Sequence, residues 1–336
     1  MYRMPAEWEQ HEGTWIAWPH NEEHWPGKFK SIPPVYGELV RALIEGGEKV
    51  FILVNDAEAA DEAREYIKSN SADIVFHHIP TNSSWTRDFG PIFVYDEGGK
   101  LHITDWGFNM WGDKYQPWDL DAGVPKKIAA LFEFPRLDPN MILEGGSIDV
   151  NGQGVLLTTR QCLLNKNRNP SLTQPQIEER LSMYLGIRQI LWLDEGIVGD
   201  DTDGHIDDIA RFTDSNTIIC QMERDTGDGN AAILQKNFEF LSRARNQKGE
   251  QFHIVALDMP DPVYCDGQRL PASYANFYIA NTAVLVPTFN CAKDARALDT
   301  FSRLFPSRRI IGIDAVDYVW GLGTIHCSTQ QQPKAR

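Results

Sequence analysis

Cysteine is sparse in this sequence, and the cysteines are far apart. Cys162, Cys220, Cys265, Cys291 and Cys327 are an odd number, and no two have the C-x-x-C spacing of a zinc knuckle or a redox dithiol. A disulfide framework is therefore not expected, and reduced thiols in a cytoplasmic compartment fit best. No cofactor is implied by these residues.

Long hydrophobic runs are also missing. The longest apolar segment, residues 277–286, contains Asn281 and Thr282 and is far shorter than the roughly 20 residues that span a bilayer. The first residues lack the charged-then-apolar pattern of a signal peptide. We therefore expect no membrane partner.

Positive charge is in deficit. The chain has 47 acidic and 32 basic side chains, which give a formal net charge of -15. A nucleic-acid partner would require a clustered basic surface, so we expect none. An acidic field favours the capture of small cations, although acidity often serves solubility alone.

Linkers, low-complexity tracts and sequence-level repeats are not found either. No Gly/Ser/Pro-rich stretch divides the 336 residues. The length exceeds that of most single domains, but a closed repetitive architecture can hold it around one core. The sequence therefore predicts one domain that spans residues 1–336.

Strand-like and helix-like segments alternate along the chain. Apolar, β-branched runs predict strands at 50–54, 74–79, 91–95, 155–159, 217–220, 252–257, 283–286 and 309–313. Helical spacing predicts helices at 35–45, 58–68, 174–184, 231–243 and 294–304. The third helix has Thr173 before it, Pro175 in its first turn and Gly186 after it, which are helix boundary signals. This alternation is typical of the α/β class.

The densest polar segment is 200–208, which has six ionisable groups in nine residues. If His205 and Asp207 lie in a strand, both side chains point to one face and address one ligand, as proton transfer on a bound cation requires. A solvated acidic loop that caps a strand explains the same composition equally well. A calcium loop fails because Gly204 is misplaced. A zinc or iron site with two aspartates lacks a second nearby histidine, so we predict no metal.

A second polar segment surrounds Cys327 near the end of the sequence. Gly321 and Gly323 come just before it, and glycine lets a backbone approach a ligand closely. The other four cysteines lie in strand-like or nondescript contexts, where buried structural thiols are usual. Cys327 departs from them and is the candidate for a thiol presented at a crowded site, with Gly323 close to it.

Two further segments pair an acid with glycine or tryptophan. Trp85 offers a flat face for a planar cation, and Asp88 offers a forked acceptor for two guanidinium N–H groups. By itself, the neighbouring Arg87 suggests a local ion pair with Asp88. Glu144 precedes two glycines, a pattern that also fits a tight turn between strands.

With these residues assembled, the chain resembles the agmatine deiminase family, which is related to the bacterial peptidylarginine deiminases among the guanidine-modifying enzymes. The resemblance extends over nearly the full length in ordered motifs. These lie at residues 4–9, 14–19, 85–88, 144–147, 165–170, 202–205, 274–281 and 325–327.

The resemblance implies a five-bladed, pseudo-symmetric α/β propeller of ββαβ units with the active site at its axis. It implies that Cys327 is the nucleophile, that His205 is the general acid and base, and that Asp88 and Asp207 grip the guanidinium. Trp85 and Asp201 match positions of the substrate channel, and Glu144 lies in a motif near the site.

The implied activity is hydrolysis of agmatine to N-carbamoylputrescine and ammonia through a thiouronium intermediate, without a cofactor, by a homodimer. Leu322 and Thr324 depart from the family's glycine-rich run, which commonly ends in Asn, and this bears on how substrate fits around the thiol. Three alternatives stay open: a deiminase of peptidyl or free arginine, a non-catalytic binder of guanidinium or polyamine ligands, and a metal-dependent amidohydrolase.

Overall fold

The computed structural model describes residues 1–335, and in it strands and helices alternate along the chain. The strands, β1 to β18 in chain order, are His11–Ala17, Lys49–Val54, Ile74–His78, Ile92–Tyr95, Leu101–Thr104, Arg136–Leu137, Asp149–Val150, Val155–Thr159, Gln189–Leu193, Ala210–Phe212, Thr217–Met222, His253–Asp258, Tyr264–Cys265, Gln268–Arg269, Tyr278–Ile279, Ala283–Thr288, Arg309–Asp314 and Gln330–Pro333. The helices, α1 to α10, are Ile32–Glu45, Ala57–Ile67, Thr86–Phe89, Met110–Asp113, Asp119–Ala122, Val124–Leu131, Arg160–Leu163, Gln174–Leu185, Ala231–Arg243 and Lys293–Leu304. The predicted α/β class is confirmed.

The strands form several small sheets, none of them closed. Five sheets have the orders β18-β1-β2-β3, β4-β5-β6, β7-β8-β9, β10-β11-β12 and β15-β16-β17, while β13 and β14 make a hairpin. Each of the five has one antiparallel pair next to a parallel pair, and the four-stranded sheet has a second parallel pair, β2 with β3. Parallel neighbours need a long crossover, and α1, α2, α6, α8, α9 and α10 lie in these connections.

Local sequence accounts for the strongest elements. β2 is a continuous apolar run that is buried almost throughout, as expected for a strand covered on both faces. Thr173 and Gln176 form a capping box at the start of α8, and Gly186 ends the helix with a φ of 73°. The predicted helix at 231–243 has the bounds observed for α9.

β18 shows where the apolar pattern fails as a guide. It carries three glutamines and has no hydrophobic signature, yet all four of its residues are buried. It pairs antiparallel with β1, and the Trp15 indole N–H donates to the Gln332 side chain at 2.9 Å. The last strand thus joins the first in one sheet, and Trp15, Ile16 and Ala17 of β1 belong to the largest of three hydrophobic clusters.

The expectation that His205 and Asp207 lie in a strand is wrong. Ile206–Asp208 is a 3₁₀ turn, and β10 begins only at Ala210. The Asp200 carboxylate accepts hydrogen bonds from the backbone N–H groups of Gly204 and His205, which uses groups that a sheet ladder would need. Within residues 1–335, no helix is long and apolar enough to cross a membrane.

Candidate active site

Cys327 lies in the loop between the 3₁₀ turn Tyr318–Gly321 and β18. Its thiol is nearly buried, with 5% of the residue exposed. The sulfur is 3.1 Å from the Asn276 amide nitrogen and 3.7 Å from Asp207 Oδ2. A Cβ on Gly323 would lie 3.1 Å from this sulfur and 2.9 Å from the Trp85 ring. Gly323 therefore permits the close approach that the Gly-x-Gly pattern indicated.

Asp88 lies in the single-turn helix α3, beside the end of the Cys327 loop. Its Oδ2 accepts a hydrogen bond from the Trp111 indole at 2.9 Å, and its Oδ1 accepts one from the Gly146 backbone N–H at 2.9 Å. Burial raises the pKa of Asp88 to about 6; His205 opposes this rise, while Asp207 adds to it. Asp88 is thus an acid that titrates close to neutral pH.

His205 and both aspartates converge on one glycine. A Cβ on Gly146 would lie 2.6 Å from His205 Nδ1, 2.8 Å from Asp88 Oδ1 and 3.0 Å from Asp207 Oδ2. His205 Nδ1 is itself 3.7 Å from Asp88 Oδ1, and neither ring nitrogen has a hydrogen-bond partner among the described residues. Burial lowers the pKa of His205, but Asp88, Cys162 and Asp207 outweigh it and hold the pKa well above the ordinary value. The ring is therefore held as an imidazolium.

Asp207 is fully buried, and only one of its oxygens is occupied. Oδ2 lies 2.7 Å from His326 Nδ1, while Oδ1 has no partner within the described part of the chain. Burial raises the pKa of Asp207, but His326 and His205 overcome that effect and leave the pKa below the ordinary value. The free oxygen of this carboxylate is an acceptor available to a bound N–H group.

The thiol of Cys327 is held in its neutral form by its surroundings. Burial raises its pKa first, and the carboxylates Asp207, Asp208 and Asp88 raise it further. A cation placed beside the sulfur would reverse this effect because it neutralises those carboxylates. The site is therefore suited to a ligand that brings its own positive charge.

A cavity of about 670 Å³ ends at this group. Among the predicted residues, Trp85, Asp88, Asp201, Gly323 and Cys327 line it. No lysine or arginine of residues 1–335 is among its lining residues. His205 and Asp207 are fully buried and lie outside the lining.

Glu144 was predicted to bind substrate, but it does not line the cavity. It is fully buried, and its Oε1 accepts a hydrogen bond from Arg168 Nε at 2.8 Å. The structure places Glu144 next to His205 and Cys162, where one donor atom of each residue lies within 4.8 Å of the others. These three residues offer metal donors, but the Arg168 guanidinium already supplies a cation to the carboxylate.

A buried ionic centre at Glu7 was not predicted from the sequence. Its carboxylate lies 2.9 Å from Arg211 Nη2, 2.9 Å from His326 Nε2 and 3.4 Å from Arg87 Nη2. Glu7 thus connects the three segments that carry Cys327, Asp88 and the histidine turn. A lone glutamate beside a tryptophan gives no local signal of this role, because its partners are distant in sequence.

The fold and the site define a class: an α/β protein in which a buried thiol and a carboxylate line the end of a cavity, with an imidazolium and a second carboxylate beside them, and in which no described lining residue is lysine or arginine. Residues 3–333 match the Porphyromonas-type peptidyl-arginine deiminase family. The chain belongs to this family.

Individual relatives agree over the whole length. An agmatine deiminase of Pseudomonas aeruginosa is 35% identical over 358 aligned residues, which cover 100% of this chain and 96% of the relative. A structure of the agmatine deiminase of Enterococcus faecalis is 32% identical with a TM-score of 0.93, covering 100% of this chain and 96% of the other. A substrate-bound C. jejuni agmatine deiminase is 36% identical with a TM-score of 0.90, covering 100% and 97%.

Proposed function

We propose that this chain is an agmatine deiminase, which hydrolyses agmatine to N-carbamoylputrescine and ammonia. The observation that carries the proposal is the cavity, which leads to Cys327 and Asp88 and has no arginine or lysine in its described lining. A substrate with an α-carboxylate would need such a partner, whereas agmatine ends in an ammonium group. The names of the similar proteins support the same substrate.

Binding begins with the two carboxylates. Asp88 and the free oxygen of Asp207 accept the guanidinium N–H groups, and Trp85 covers the flat face of the cation. These charges would be costly to bury unpaired, and the substrate supplies their partner. Because the cation also offsets the carboxylates that disfavour a thiolate, binding lowers the pKa of Cys327. The thiol proton passes to solvent, since the imidazolium of His205 is already protonated.

The chemistry then proceeds in two halves. The thiolate of Cys327 attacks the guanidinium carbon, and the imidazolium of His205 gives a proton to the departing nitrogen, which leaves as ammonia. A thiouronium remains on the sulfur. His205, now neutral, takes a proton from water, the resulting hydroxide attacks the same carbon, and the carbon–sulfur bond breaks with the sulfur leaving as a thiolate. The hydroxyl proton of the adduct then passes to this thiolate, which gives the neutral ureido product and restores the Cys327 thiol and the His205 imidazolium.

The finer architecture belongs to the same proposal. We infer that each of the five larger sheets is one blade of a five-bladed propeller, and that residues 1–336 form one domain. The recurrence of an antiparallel pair followed by a parallel pair in all five supports this view. A homodimer in the cytoplasm is also proposed, on the family resemblance, and sedimentation of the purified protein tests the dimer.

The test offers agmatine, free arginine and an arginyl peptide side by side to the wild type and to Cys327→Ser, and measures ureido product. We expect turnover of agmatine by the wild type and none by the variant. Faster turnover of free arginine or of the arginyl peptide would show instead that the chain is a deiminase of that substrate. Binding of agmatine without turnover would make the chain a guanidinium-binding protein, and activity lost to a chelator and restored by metal would replace the mechanism.

A further inference from the structure

We infer that Asn276 is the hydrogen-bond donor that stabilises the thiolate of Cys327, and that Thr324 holds the Asn276 amide in the orientation required. Asn276 is 1% exposed, and its Nδ2 lies 3.1 Å from the Cys327 sulfur. This inference rests on the proposed function, because it assigns a role only if Cys327 is the nucleophile.

The orientation of the Asn276 amide is fixed by its partners. Its Oδ1 accepts hydrogen bonds from the Thr324 hydroxyl at 2.8 Å and from the backbone N–H of His326 at 3.1 Å and of Cys327 at 3.3 Å. The two backbone N–H groups can only act as donors, and the Thr324 hydroxyl acts as a donor here. The Nδ2 end of the amide faces the Asp208 carboxylate at 3.0 Å and the Cys327 sulfur. A flipped amide would turn its N–H groups toward backbone donors, so the nitrogen faces the thiol.

Thr324 is the side chain that completes this arrangement. It is 2% exposed, and its hydroxyl gives its hydrogen bond to the Asn276 oxygen. Thr324 does not line the cavity, so it acts on the sulfur through Asn276 and is a positioning residue. This gives a physical role to one of the two positions at which the glycine-rich run before the cysteine is interrupted.

The sulfur needs such a donor because its other neighbours oppose a negative charge. Asp207 and Asp208 from the 3₁₀ turn and Asp88 from α3 raise the pKa of Cys327, after burial itself, and the Asn276 hydrogen bond lowers it. Tyr36 of α1 and Tyr318 of the preceding turn are neutral titratable groups that also lie near the sulfur. The rings of His205 and His326 face the carboxylates Asp88 and Asp207 rather than the thiol.

The test uses alkylation of Cys327 by iodoacetamide, followed by mass spectrometry of its peptide between pH 7 and 10 in full-length protein. Only the thiolate reacts, so the rate at a fixed pH reports its population. We expect Asn276→Ala to slow alkylation about 10- to 100-fold at pH 9, as loss of a hydrogen bond to a charged group predicts. Thr324→Val, which keeps shape but loses the hydroxyl, should slow it in the same direction by a smaller factor.

Asn281→Ala is the matched control, because Asn281 lies on the same segment and its side chain hydrogen-bonds to backbone groups of His11 and Gly47, away from the thiol. It should leave the alkylation profile unchanged. A folded Asn276→Ala protein with the wild-type profile would overturn the inference; if that variant does not fold, an unshifted profile in Thr324→Val would do so. Alkylation requires no turnover, so failure of the agmatine assay is a separate outcome.

Discussion

At the scale of single residues, the site is governed by acids that stand in different surroundings. Asp88 has a raised pKa of about 6 because burial outweighs its hydrogen bonds. Asp207 lies against the same glycine, Gly146, and His326 and His205 hold its pKa below the ordinary value. The surroundings therefore favour the ionised form of Asp207 and disfavour the ionised form of Asp88.

Asp88 should impose an acid limb on catalysis. The guanidinium binds ionised Asp88, so below about pH 6 the wild-type kcat/KM should fall by about a further tenfold per pH unit, beyond the decline set by the Cys327 thiolate, as Asp88 takes up a proton. Asp88→Asn should lower kcat/KM about 100-fold or more, remove this added acid limb and keep the decline set by Cys327. The measurement is a pH–rate profile with agmatine from pH 5 to 8.

The exposed Asp61→Asn on α2 serves as the control, since Asp61 contacts only Arg64 at the surface. It should retain the wild-type profile. An acid limb that persists unchanged in Asp88→Asn would assign the titration to another group and contradict the role given to Asp88.

At the scale of elements, the reactive groups come from turns rather than from the middle of strands. Asp88 lies in a four-residue helix and Asp207 in a 3₁₀ turn, while Cys327 lies in a loop that follows a second 3₁₀ turn. Short turns leave backbone N–H groups unpaired, and these fix the site: Gly146, in the 3₁₀ turn Gly145–Ser147, donates to Asp88. The sheets hold the turns in place from behind.

Gly146→Ala should inactivate the protein without unfolding it. The added methyl group would lie within 3.0 Å of His205, Asp88 and Asp207, all of them fixed by packing. We expect kcat to fall about 100-fold, as small misplacements of reacting groups do, with a destabilisation of about 1–3 kcal/mol. Steady-state kinetics and thermal melts measure the two effects.

Gly98→Ala is the control for this prediction. Gly98 lies in the turn between β4 and β5, where the nearest atom to an added Cβ is Asp96 Oδ1 at 3.3 Å. It should change neither kcat nor stability appreciably. A wild-type kcat in Gly146→Ala would contradict the prediction, because it would mean that the methyl group fits beside His205, Asp88 and Asp207 without displacing them.

At the scale of the whole molecule, the chain closes on itself. β18 pairs with β1, and Arg87 of α3 donates to the Gln331 side chain of β18 at 2.7 Å. Glu7 near the start connects to His326 near the end at 2.9 Å. The two ends of the sequence are thus needed together to hold the site.

This arrangement predicts that the protein unfolds as one unit. Denaturation followed by tryptophan fluorescence and by far-UV circular dichroism should give coincident transitions, because neither half of the chain has its complete set of sheet and site contacts alone. Removing residues 330–336 should lower stability and abolish activity together. Two separated transitions, or an active truncated protein, would contradict the single domain proposed for 1–336.

Sequence patterns were sufficient for much of the fold. β2, β8 and α9 were predicted because a buried strand shows a continuous apolar run and an amphipathic helix shows apolar residues at helical spacing. The polar segments that contain His205 and Cys327 were found because charge and glycine are concentrated there. β18 was missed, since its burial depends on β1, more than 300 residues away.

The sequence by itself determined the α/β class and the identity of the groups that meet around Cys327 and Gly146, because element type and residue chemistry are local properties. Only the tertiary structure decided their geometry: that His205 enters a turn and not a strand, that Glu144 binds Arg168 and not the cavity, and that Asn276 faces the sulfur. Hydrogen bonds and ion pairs of this kind join residues far apart in the chain. The folded chain brings these partners together, and the residues next to each of them in sequence give no signal of the pairing.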